Sequence, residues 1–485
     1  MRSRTALQSP RMSELLSINV YYLGITTLAQ TMTPLVIPLL VQQFVGQDQQ
    51  AALYGNLRLW TLMVAILTQS LFGMISDRST IRWGKRKPFI LAGTLLNLAI
   101  IILIGYSASL HGFGGYWILF TLVILLMIAV NIAQGALQGF IPDLVPESSR
   151  GIASGIKALF EIPFPLILVA LLIGPLVAND QLWSALLVLV VVLVVCMLLT
   201  MLVREGPPQP PTGKFDWKPY LRLLLMTGAF TGVILVMGGV VKISTYLLPK
   251  DLALNPALII FGIIGLVTML AAIGLGVIIS IQIGLGSHAD RSNINFTWWV
   301  INRLAFLAAS TSLASFALFF LQGRLGFTKE EAARPASLLL LVVGMFILLT
   351  ALPSGWVSDW IGYKPVIALS GIIAAIGVGI IILPRNLIGV YAGAVLVGIA
   401  TGIFYTTNWA LGTKIVPRLE AGRYLGISNL AGAGAGAAGA FIGGPVADHF
   451  TTNYPSHPGI GYVVLFAIYG ILFLFSVIAL RFVEI

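Results

Sequence analysis

Charge is scarce in this sequence, and the scarcity decides the class of protein. Charged residues make up 9% of the 485 residues, hydrophobic residues make up 58%, and the mean hydropathy is +0.97. Typical soluble domains carry about 25% charged residues. The apolar residues also gather into successive runs of about 20, the length of a membrane-spanning helix. The sequence therefore predicts an all-α integral membrane protein whose surface contacts the lipid bilayer.

Cysteine and histidine are almost absent as well. Cys196 is the single cysteine and lies in an apolar run, which excludes a disulfide framework and a thiolate metal site. No nucleophile–base pair and no nucleotide-binding loop is recognisable. We therefore expect no enzyme activity, no catalytic residue, no metal site and no cofactor. The four histidines are scattered through predicted loops: His111, His288, His449 and His457.

Acidic residues are outnumbered by basic ones, 17 to 28, which leaves a net charge of +11. In a soluble protein such an excess would suggest a nucleic-acid partner. In a membrane protein it follows from the preference of lysine and arginine for cytoplasmic loops. When the predicted spans assign each loop to one side of the membrane, most of the basic residues lie on the side that carries the N-terminus. We therefore predict that both termini are cytoplasmic and that the protein binds no nucleic acid.

Fourteen apolar runs, separated by short polar breaks, are long enough to be spans. An even number of spans agrees with two termini on one side of the membrane. The predicted spans are 15–45, 51–75, 88–110, 115–141, 151–178, 182–203, 220–248, 256–286, 297–322, 335–357, 366–384, 387–413, 422–447 and 460–482.

Two segments of the first half of the chain recur in the second half. The segment "GMISDRSTIRWGKRKPFILAG" (73–93) has a shortened copy in "GWVSDWIGYKPVIALSG" (355–371). The segment "VPESSRGIASGI" (145–156) aligns without gaps to "VPRLEAGRYLGI" (416–427). Parallel repeats of this kind are a common construction of transporter folds.

The repeats divide the chain into three predicted segments. An N-terminal six-helix half covers 1–203, and a homologous C-terminal half covers 297–485. The segment 204–296 between them begins with the linker "REGPPQPPTGKFDWKP", whose prolines favour an extended spacer. Two further spans follow the linker, so the sequence predicts two inserted helices between the halves.

The segment 73–87, with its "SDR" and "GKRK", resembles the signature loop between the second and third helices of the major facilitator superfamily. "GWVSDWIGYKP" resembles the second-half copy of that loop. With "GKRKPFI" the resemblance is closest to the sucrose and glycoside cation-symporter branch. The chain departs from that branch in its two inserted helices, and the branch's further carboxylate and arginine patterns are not found in the fourth and fifth spans.

The resemblance implies the major facilitator fold and a secondary active transporter that works by alternating access. In that mechanism two six-helix halves rock about a central cavity. It further implies a symporter of a small, sugar-like solute, with protons as the candidate coupling ion. We expect a monomer in the plasma membrane.

The resemblance also implies that the signature loop is a cytoplasmic gating latch. Asp77, at the end of one helix, would face the positive N-terminal end of a helix in the other half. Arg78 would reach a carboxylate such as Asp143. The predicted gating residues are Gly73, Asp77, Arg78, Gly84, Lys85, Arg86, Asp143 and Asp359.

In this superfamily the first and fourth helices of each half line the cavity. Polar residues on those four helices recur at steps of three or four and so share a face. The amide, hydroxyl and aromatic groups suit a sugar or polyol. They are also the groups that bond neighbouring helices in membranes, and Arg303 could either bind an anionic group or extend to the interface. The candidates are Asn19, Tyr22, Thr26, Gln30, Asn131, Gln134, Gln138, Arg303, Tyr405 and Asn408.

Lys157 and Glu161 form a charged pair in the fifth span. They are four residues apart, hence on one helical face, and Glu161 lies near mid-membrane. Pro163 and Pro165 follow at once and free the carbonyls of the preceding turn. A titratable group beside a broken helix at this depth favours ion coupling. We therefore predict that Glu161 carries the coupling proton and that Lys157 tunes it, the alternative being a self-neutralising structural pair.

Two other functions fit the same sequence. A multidrug or lipid-type exporter is compatible with fourteen spans and a basic surface. A non-transporting membrane assembly factor on the same fold is compatible as well.

Overall fold

The computed structural model describes residues 11–206, 216–249, 252–286, 291–383, 386–417 and 421–484. His288 and residues 207–215 of the predicted linker lie outside them. All long elements are helices, and no strand occurs within the described ranges. The all-α membrane fold is confirmed. Fourteen helices have the length of a span: α1 (Met12–Val45), α2 (Gln50–Asp77), α3 (Lys87–Ser107), α4 (Gly112–Leu144), α5 (Glu147–Ala178), α6 (Leu182–Met201), α7 (Lys218–Leu247), α8 (Leu254–Leu285), α9 (Arg291–Leu325), α10 (Ala333–Ile361), α11 (Tyr363–Ile382), α12 (Leu387–Ile415), α13 (Ala421–Asn453) and α14 (Ile460–Leu480).

Thirteen helices in the described part of the chain combine this length with the apolar composition of a span. The remaining one, α13, is 33 residues long and contains the run "AGAGAGAAGA". Glycine and alanine add little hydropathy, but they let helices in a membrane approach each other closely. Its length and its packing against α8, α9 and α14 therefore make α13 the fourteenth span.

Several helices extend beyond their apolar runs. α9 begins at Arg291 rather than near 297, and α13 ends at Asn453 rather than near 447. Hydropathy misses such ends because the outer turns of a span meet polar surroundings. His449 consequently lies in a helix and not in a loop as predicted. Its ring packs against Phe261, with ring centroids 3.9 Å apart.

Two spans change their helical type around proline. In α1 a π-helical turn, Met32–Val36, contains Pro34. In α5 one α-helical segment ends at Glu161 and the next begins at Pro163, as the two prolines predicted. Proline has no N–H to donate and its ring clashes with the preceding turn, so the helix is interrupted there. The interruption of α5 lies near the middle of the span.

The chain folds into two compact units. Unit 1 comprises Met1–Thr33 and Val64–Tyr220, and unit 2 comprises Pro34–Met63 and Leu221–Ile485. The first boundary falls in the π-helical turn of α1 and the second within α2. The division of the chain into repeats at 203 and 297 stays a prediction.

Small residues allow close helix packing inside unit 1. A Cβ on Gly93 of α3 would lie 2.9 Å from the Cβ of Ala133 in α4. A Cβ on Gly135 of α4 would lie 2.9 Å from the backbone nitrogen of Gly73 in α2. Side chains larger than hydrogen at the two glycines of α3 and α4 would push these helices apart. The close approach positions the end of α2, where the signature loop starts.

The two inserted helices, α7 from Leu221 onward and α8, are a packed part of unit 2. The ring of Phe230 in α7 fills the space that a Cβ would need at Gly276 of α8 and at Gly434 of α13. The ring of Phe441 in α13 does the same at Gly238 of α7. Aromatic rings seated on glycines bury apolar area without separating the helix backbones.

Candidate functional site

The signature loop of unit 1 folds around the side chain of Arg86, of which 6% is exposed. Its Nη2 and Nε donate to Oδ2 of Asp143 at 2.8 and 3.0 Å, and Nη2 also donates to Asp77. Nη1 donates to Oγ of Ser76 at 2.6 Å. Lys85 Nζ lies 3.4 Å from Asp143 and 3.7 Å from Asp77. These residues form the Arg86 cluster, in which two cations and two carboxylates neutralise one another.

A carboxylate from the end of unit 1 holds the same loop by its backbone. Glu205 accepts hydrogen bonds from the N–H groups of Lys85, Arg86 and Lys87 at 2.6, 2.8 and 2.9 Å. An anion at the start of a helix is stabilised by the free N–H groups and the helix dipole. Gly84 precedes them with φ of +150°, and a Cβ there would lie 2.7 Å from Oε1 of Glu205. Glycine at this position therefore brings the loop onto Glu205.

The predicted gating residues of unit 1 meet in a different pairing from the one we expected. Asp143 binds Arg86 and Lys85, whereas we expected Arg78 to reach it. The chain turns back at Gly84, so the basic residues after the turn, and not the one before it, lie over the end of α4. Sequence spacing cannot reveal such a reversal, because it depends on the backbone of the turn.

Asp359 belongs to the second copy of the loop, in unit 2. It accepts a hydrogen bond of 2.8 Å from the hydroxyl of Tyr363. The ammonium group of Lys414 lies 4.3 Å from the centre of the Tyr363 ring. Lys364 Nζ donates to the carbonyl of Val483 at 2.5 Å.

The predicted coupling pair lies at the interruption of α5. Lys157 Nζ is 3.5 Å from Oε1 of Glu161, and the two side chains are 30% and 36% exposed. The same ammonium lies 4.6 Å from the ring centre of Tyr22 on α1, and Tyr22 is 2% exposed. The structure thus joins three predicted residues, from two helices of unit 1, into one group.

The other candidates on α1 and α4 differ in burial. Asn19 and Asn131 are buried, and each donates to a carbonyl of its own helix, at Leu15 and Met127. These two amides are therefore engaged with backbone. The remaining candidates are at least partly exposed, since three are half-buried and the last is exposed: Thr26, Gln30, Gln134 and Gln138.

Unit 2 contains a chain of hydrogen bonds that starts at Arg303. Nη1 of Arg303 donates to Oδ1 of Asn408 at 3.1 Å, and Asn408 Nδ2 donates to Oδ1 of Asn302 at 2.7 Å. Asn302 Nδ2 donates to the carbonyl of Ser476 at 2.7 Å. Trp299 Nε1 donates to the carbonyl of Asn408 at 3.1 Å. Asn408 therefore organises three helices of unit 2 around the arginine.

Arg303 is held inside unit 2, where its surroundings agree better with binding of an anionic group than with extension to the membrane interface. Its exposure is 8%, and it lies about 18 Å along α9 from Arg291 because that helix starts earlier than hydropathy indicated. The guanidinium lies 5.1 Å from the ring centre of Trp409 and 5.9 Å from that of Trp299. Tyr405, also on α12, is 41% exposed. Within the described residues, Nε of Arg303 is buried and has no hydrogen-bond partner.

Sequence reasoning missed five residues of these groups: Ser76, Glu205, Trp299, Asn302 and Trp409. Trp299 was within reach, because it precedes Arg303 by one helical turn on the same face. Glu205 carried no signal, because it is 120 residues from its first partner and lies in a segment that composition assigns to a linker. No group of three or more potential metal ligands occurs within the described residues.

Comparison with known proteins identifies the family to which the chain belongs. The sequence matches the family described as Major Facilitator Superfamily over residues 22–324 and 299–484. Among curated proteins, the sucrose transport protein SUT1 of Oryza sativa subsp. japonica is 38% identical over 48 residues. That segment is 10% of this chain and 9% of the rice protein, so the match spans a small fraction of the relative's length.

Solved transporter structures share the fold along nearly the whole chain. A nucleoside transporter, NupG, has a TM-score of 0.61 at 14% identity and covers 96% of this chain and 99% of its own. A peptide transporter POT in complex with sulfate has a TM-score of 0.65 at 13% identity, covering 99% and 95%. A POT family transporter in complex with 5-aminolevulinic acid has a TM-score of 0.63 at 15% identity, covering 100% and 99%. Similarities at this identity establish the fold alone.

Proposed function

Because the chain belongs to the Major Facilitator Superfamily, we propose that this secondary transporter carries a small, sugar-like solute across the plasma membrane in symport with protons. Membership of the family makes the chain a multi-pass membrane transporter rather than an enzyme. The solute, the coupling ion and the membrane are what we propose beyond that. The Lys157–Glu161 pair beside Tyr22 is the observation that carries the proposal.

A sugar-like solute suits the side chains that are open in each unit. Gln134 and Gln138 of unit 1 carry amides that both donate to and accept from hydroxyl groups. Tyr405 and Trp409 of unit 2 are 41% and 38% exposed and offer aromatic faces. Small-molecule sites combine such apolar surfaces with a few placed polar groups. The short segment shared with the rice sucrose transport protein supports the same class of solute.

Proton coupling follows from what Glu161 does to Lys157. The ionised carboxylate holds the ammonium at 3.5 Å, and a protonated carboxyl loses that charge attraction. Lys157 then keeps its contact with Tyr22 and gains freedom to donate to a hydroxyl of the solute. Both side chains are about one-third exposed, so the pair contributes about 1 kcal/mol or less. A contact this weak can form and break in every transport cycle.

Glu161→Gln tests the coupling in reconstituted liposomes. Glutamine retains the size and hydrogen bonding of the side chain but cannot release a proton, so pH-gradient-driven accumulation of the solute should fall at least tenfold. Exchange of solute across the same membrane needs no net proton movement and should persist. The matched control is Glu147→Gln, at the 90%-exposed start of the same helix, which should retain both activities. Unchanged gradient-driven uptake by Glu161→Gln would refute coupling at this residue.

Arg303 favours a second candidate solute, a sugar acid. A buried guanidinium with an unpartnered Nε beside two tryptophans can take a carboxylate. Competition of glucuronate and glucose for uptake separates the two candidates. For a sugar acid, Arg303→Gln abolishes inhibition by glucuronate and leaves inhibition by glucose unchanged. For a neutral sugar, glucuronate does not compete with wild-type uptake.

The Arg86 cluster completes the proposed cycle as its gating latch. Its carboxylates, Asp77 and Asp143, are 56% and 34% exposed, so water can replace the ion pairs when the latch opens. We further propose cytoplasmic termini and a monomer. A thermal-shift screen against sugars, sugar acids and lipophilic cations distinguishes this function from a multidrug exporter. Failure of every solute to stabilise the protein or to be taken up would favour an assembly factor.

A further inference from the structure

Unit 2 contains a cavity with both polar and apolar walls that shares no residue with the candidate sites described above. Its volume is about 530 Å³, within the range of small-molecule sites. The start of α2, the end of α9, the end of α13, the loop after it and the start of α14 form its walls. We name this space the outer cavity. Its main polar and aromatic lining residues are Gln50, Phe319, Gln322, Tyr454, His457 and Tyr462.

Gln322 lines the outer cavity, and its amide has no hydrogen-bond partner within the described residues. The residue is 9% exposed, and both Oε1 and Nε2 are buried without a hydrogen bond within the described residues. Gln50 is 3% exposed, and its Oε1 is likewise buried and unpartnered, while its Nε2 donates to the hydroxyl of Tyr462 at 3.0 Å. More than nine in ten buried polar groups are hydrogen-bonded. Three amide atoms of two cavity-lining glutamines lack a partner within the described residues, which indicates a polar ligand.

The remaining walls indicate that this ligand is uncharged. Phe319 and Tyr462 present aromatic rings whose centroids are 6.1 Å apart. Tyr454 donates its hydroxyl to the carbonyl of Leu252, and burial raises the pKa of that hydroxyl, so this wall stays neutral at physiological pH. The one acid and the one arginine of the lining, Asp48 and Arg324, have opposite charges.

We propose that the outer cavity is a second binding site, for a small uncharged polyol or sugar held by Gln322 and Gln50. Hydroxyl groups both donate and accept, which matches amides that need a donor at one atom and an acceptor at the other. Aromatic rings supply the apolar faces on which the C–H side of such a ligand packs. The site takes the solute class of the proposed function, but it depends on neither Glu161 nor Arg303.

Gln50 also connects the outer cavity to the start of α2. The two N–H groups that follow it, of Ala51 and Ala52, donate to the carboxylate of Asp448 at 3.0 and 2.7 Å. Asp448 lies in α13 and is 6% exposed. A ligand on Gln50 therefore stabilises the helix start that Asp448 caps. The binding signal should extend from the cavity into the first turn of α2.

Hydrogen exchange measured by mass spectrometry on the full chain tests the site, with sucrose as the probe. In the wild type, sucrose should slow exchange at least threefold in the segments 50–53, 319–327 and 451–462. Trimethylamine N-oxide is the control for solvent effects, because an excluded osmolyte stabilises the whole protein and not one cavity. Slowing that is equal along the whole chain in both solutes would overturn the proposal.

Gln322→Leu should abolish the local slowing. It removes an amide that bonds to no described residue, so the protein should fold as the wild type does. Gln42→Leu is the matched control: Gln42 is also 9% exposed, but it does not line the outer cavity, and its variant should respond to sucrose normally. If Gln322→Leu does not fold, Tyr462→Phe is tested in its place. The sucrose concentration needed to produce the local slowing of exchange should then rise about fivefold.

The result is independent of the transport experiment. Wild-type uptake without local slowing at the outer cavity refutes this site and leaves the proposed function intact. Local slowing without uptake supports the site and refutes the proposed function. An unaltered response in Gln322→Leu overturns the assignment of the amide.

Discussion

In unit 1 the loop after α2 holds Arg86 between two carboxylates, whereas in unit 2 the corresponding loop after α10 holds Asp359 with the hydroxyl of Tyr363. The first loop is the longer one and can turn back far enough to bury a guanidinium. The second passes directly from α10 into α11 through Gly362. The extra residues of the first copy therefore create a charged network that the second copy lacks among its described contacts.

Two contacts are common to the copies. In each, a lysine at the start of the helix after the loop donates to a backbone carbonyl beyond the last helix of the same unit. In each, a serine near the end of the helix before the loop bonds back to a glycine three residues earlier. These pairs are Lys87 with Val203, Lys364 with Val483, Ser76 with Gly73 and Ser358 with Gly355. The comparison teaches that the lysine anchor is common to both copies, while the Arg86 cluster, our proposed gating latch, occurs in the first copy.

Arg86→Ala should be the most damaging change in either loop. It leaves Asp77 and Asp143 with the single cation Lys85 and removes the partner of Ser76, which should cost about 3 kcal/mol. Lys364→Ala in the second copy, where Lys364 corresponds to Lys87, loses one hydrogen bond to a carbonyl and should cost about 1 kcal/mol. Apparent melting temperatures of the purified variants measure the difference. Equal losses would show that both loops are anchors and that the cluster adds nothing.

Gly84→Ala should have the next largest effect. Both Gly84 and Gly362 have positive φ, at +150° and +93°, so alanine is strained at either position by about 1 kcal/mol. A Cβ at Gly84 also meets Glu205, and at Gly362 it meets nothing nearer than 3.8 Å. The alanine variant of the first glycine should therefore melt at a lower temperature than that of the second. If the additional change Glu205→Ala raised the melting temperature of the Gly84→Ala variant again, the collision with Glu205 would be confirmed as the cause.

Tyr363→Phe should have the smallest effect. It removes one hydrogen bond to Asp359, an exposed carboxylate, and retains the ring under Lys414, so the cost should be about 0.5 kcal/mol. Ser76→Ala is the matched change in the first copy, because it also removes one hydroxyl from a loop contact. The buried Arg86 then loses an acceptor, and a larger drop in melting temperature is expected there. A larger loss from Tyr363→Phe would contradict the view that the second loop is the simpler one.

The groups around Glu161 and Arg303 show where sequence reasoning succeeds. The four-residue spacing of Lys157 and Glu161 and the prolines after them predicted a charged pair at an interrupted helix, because all of that information is local. The contact with Tyr22 could not be predicted, since it depends on how α1 packs against α5. The depth of Arg303 along its helix could not be predicted, because hydropathy placed the helix start at 297 and the helix begins at Arg291. The role of Asn408 as its acceptor required the packing of α9 on α12.

The sequence alone determined the membrane class, the helical spans and the family, because each of these rests on local hydrophobicity or on motifs whose residues are neighbours in the chain. Only the tertiary structure decided that Arg86 rather than Arg78 binds Asp143. It also decided that Glu205 caps the helix after the loop and that Gln50 and Gln322 line one cavity. Those pairings join residues far apart in sequence. Which side chains meet across helices depends on how the helices pack, and the spacing of residues along the chain does not contain that information.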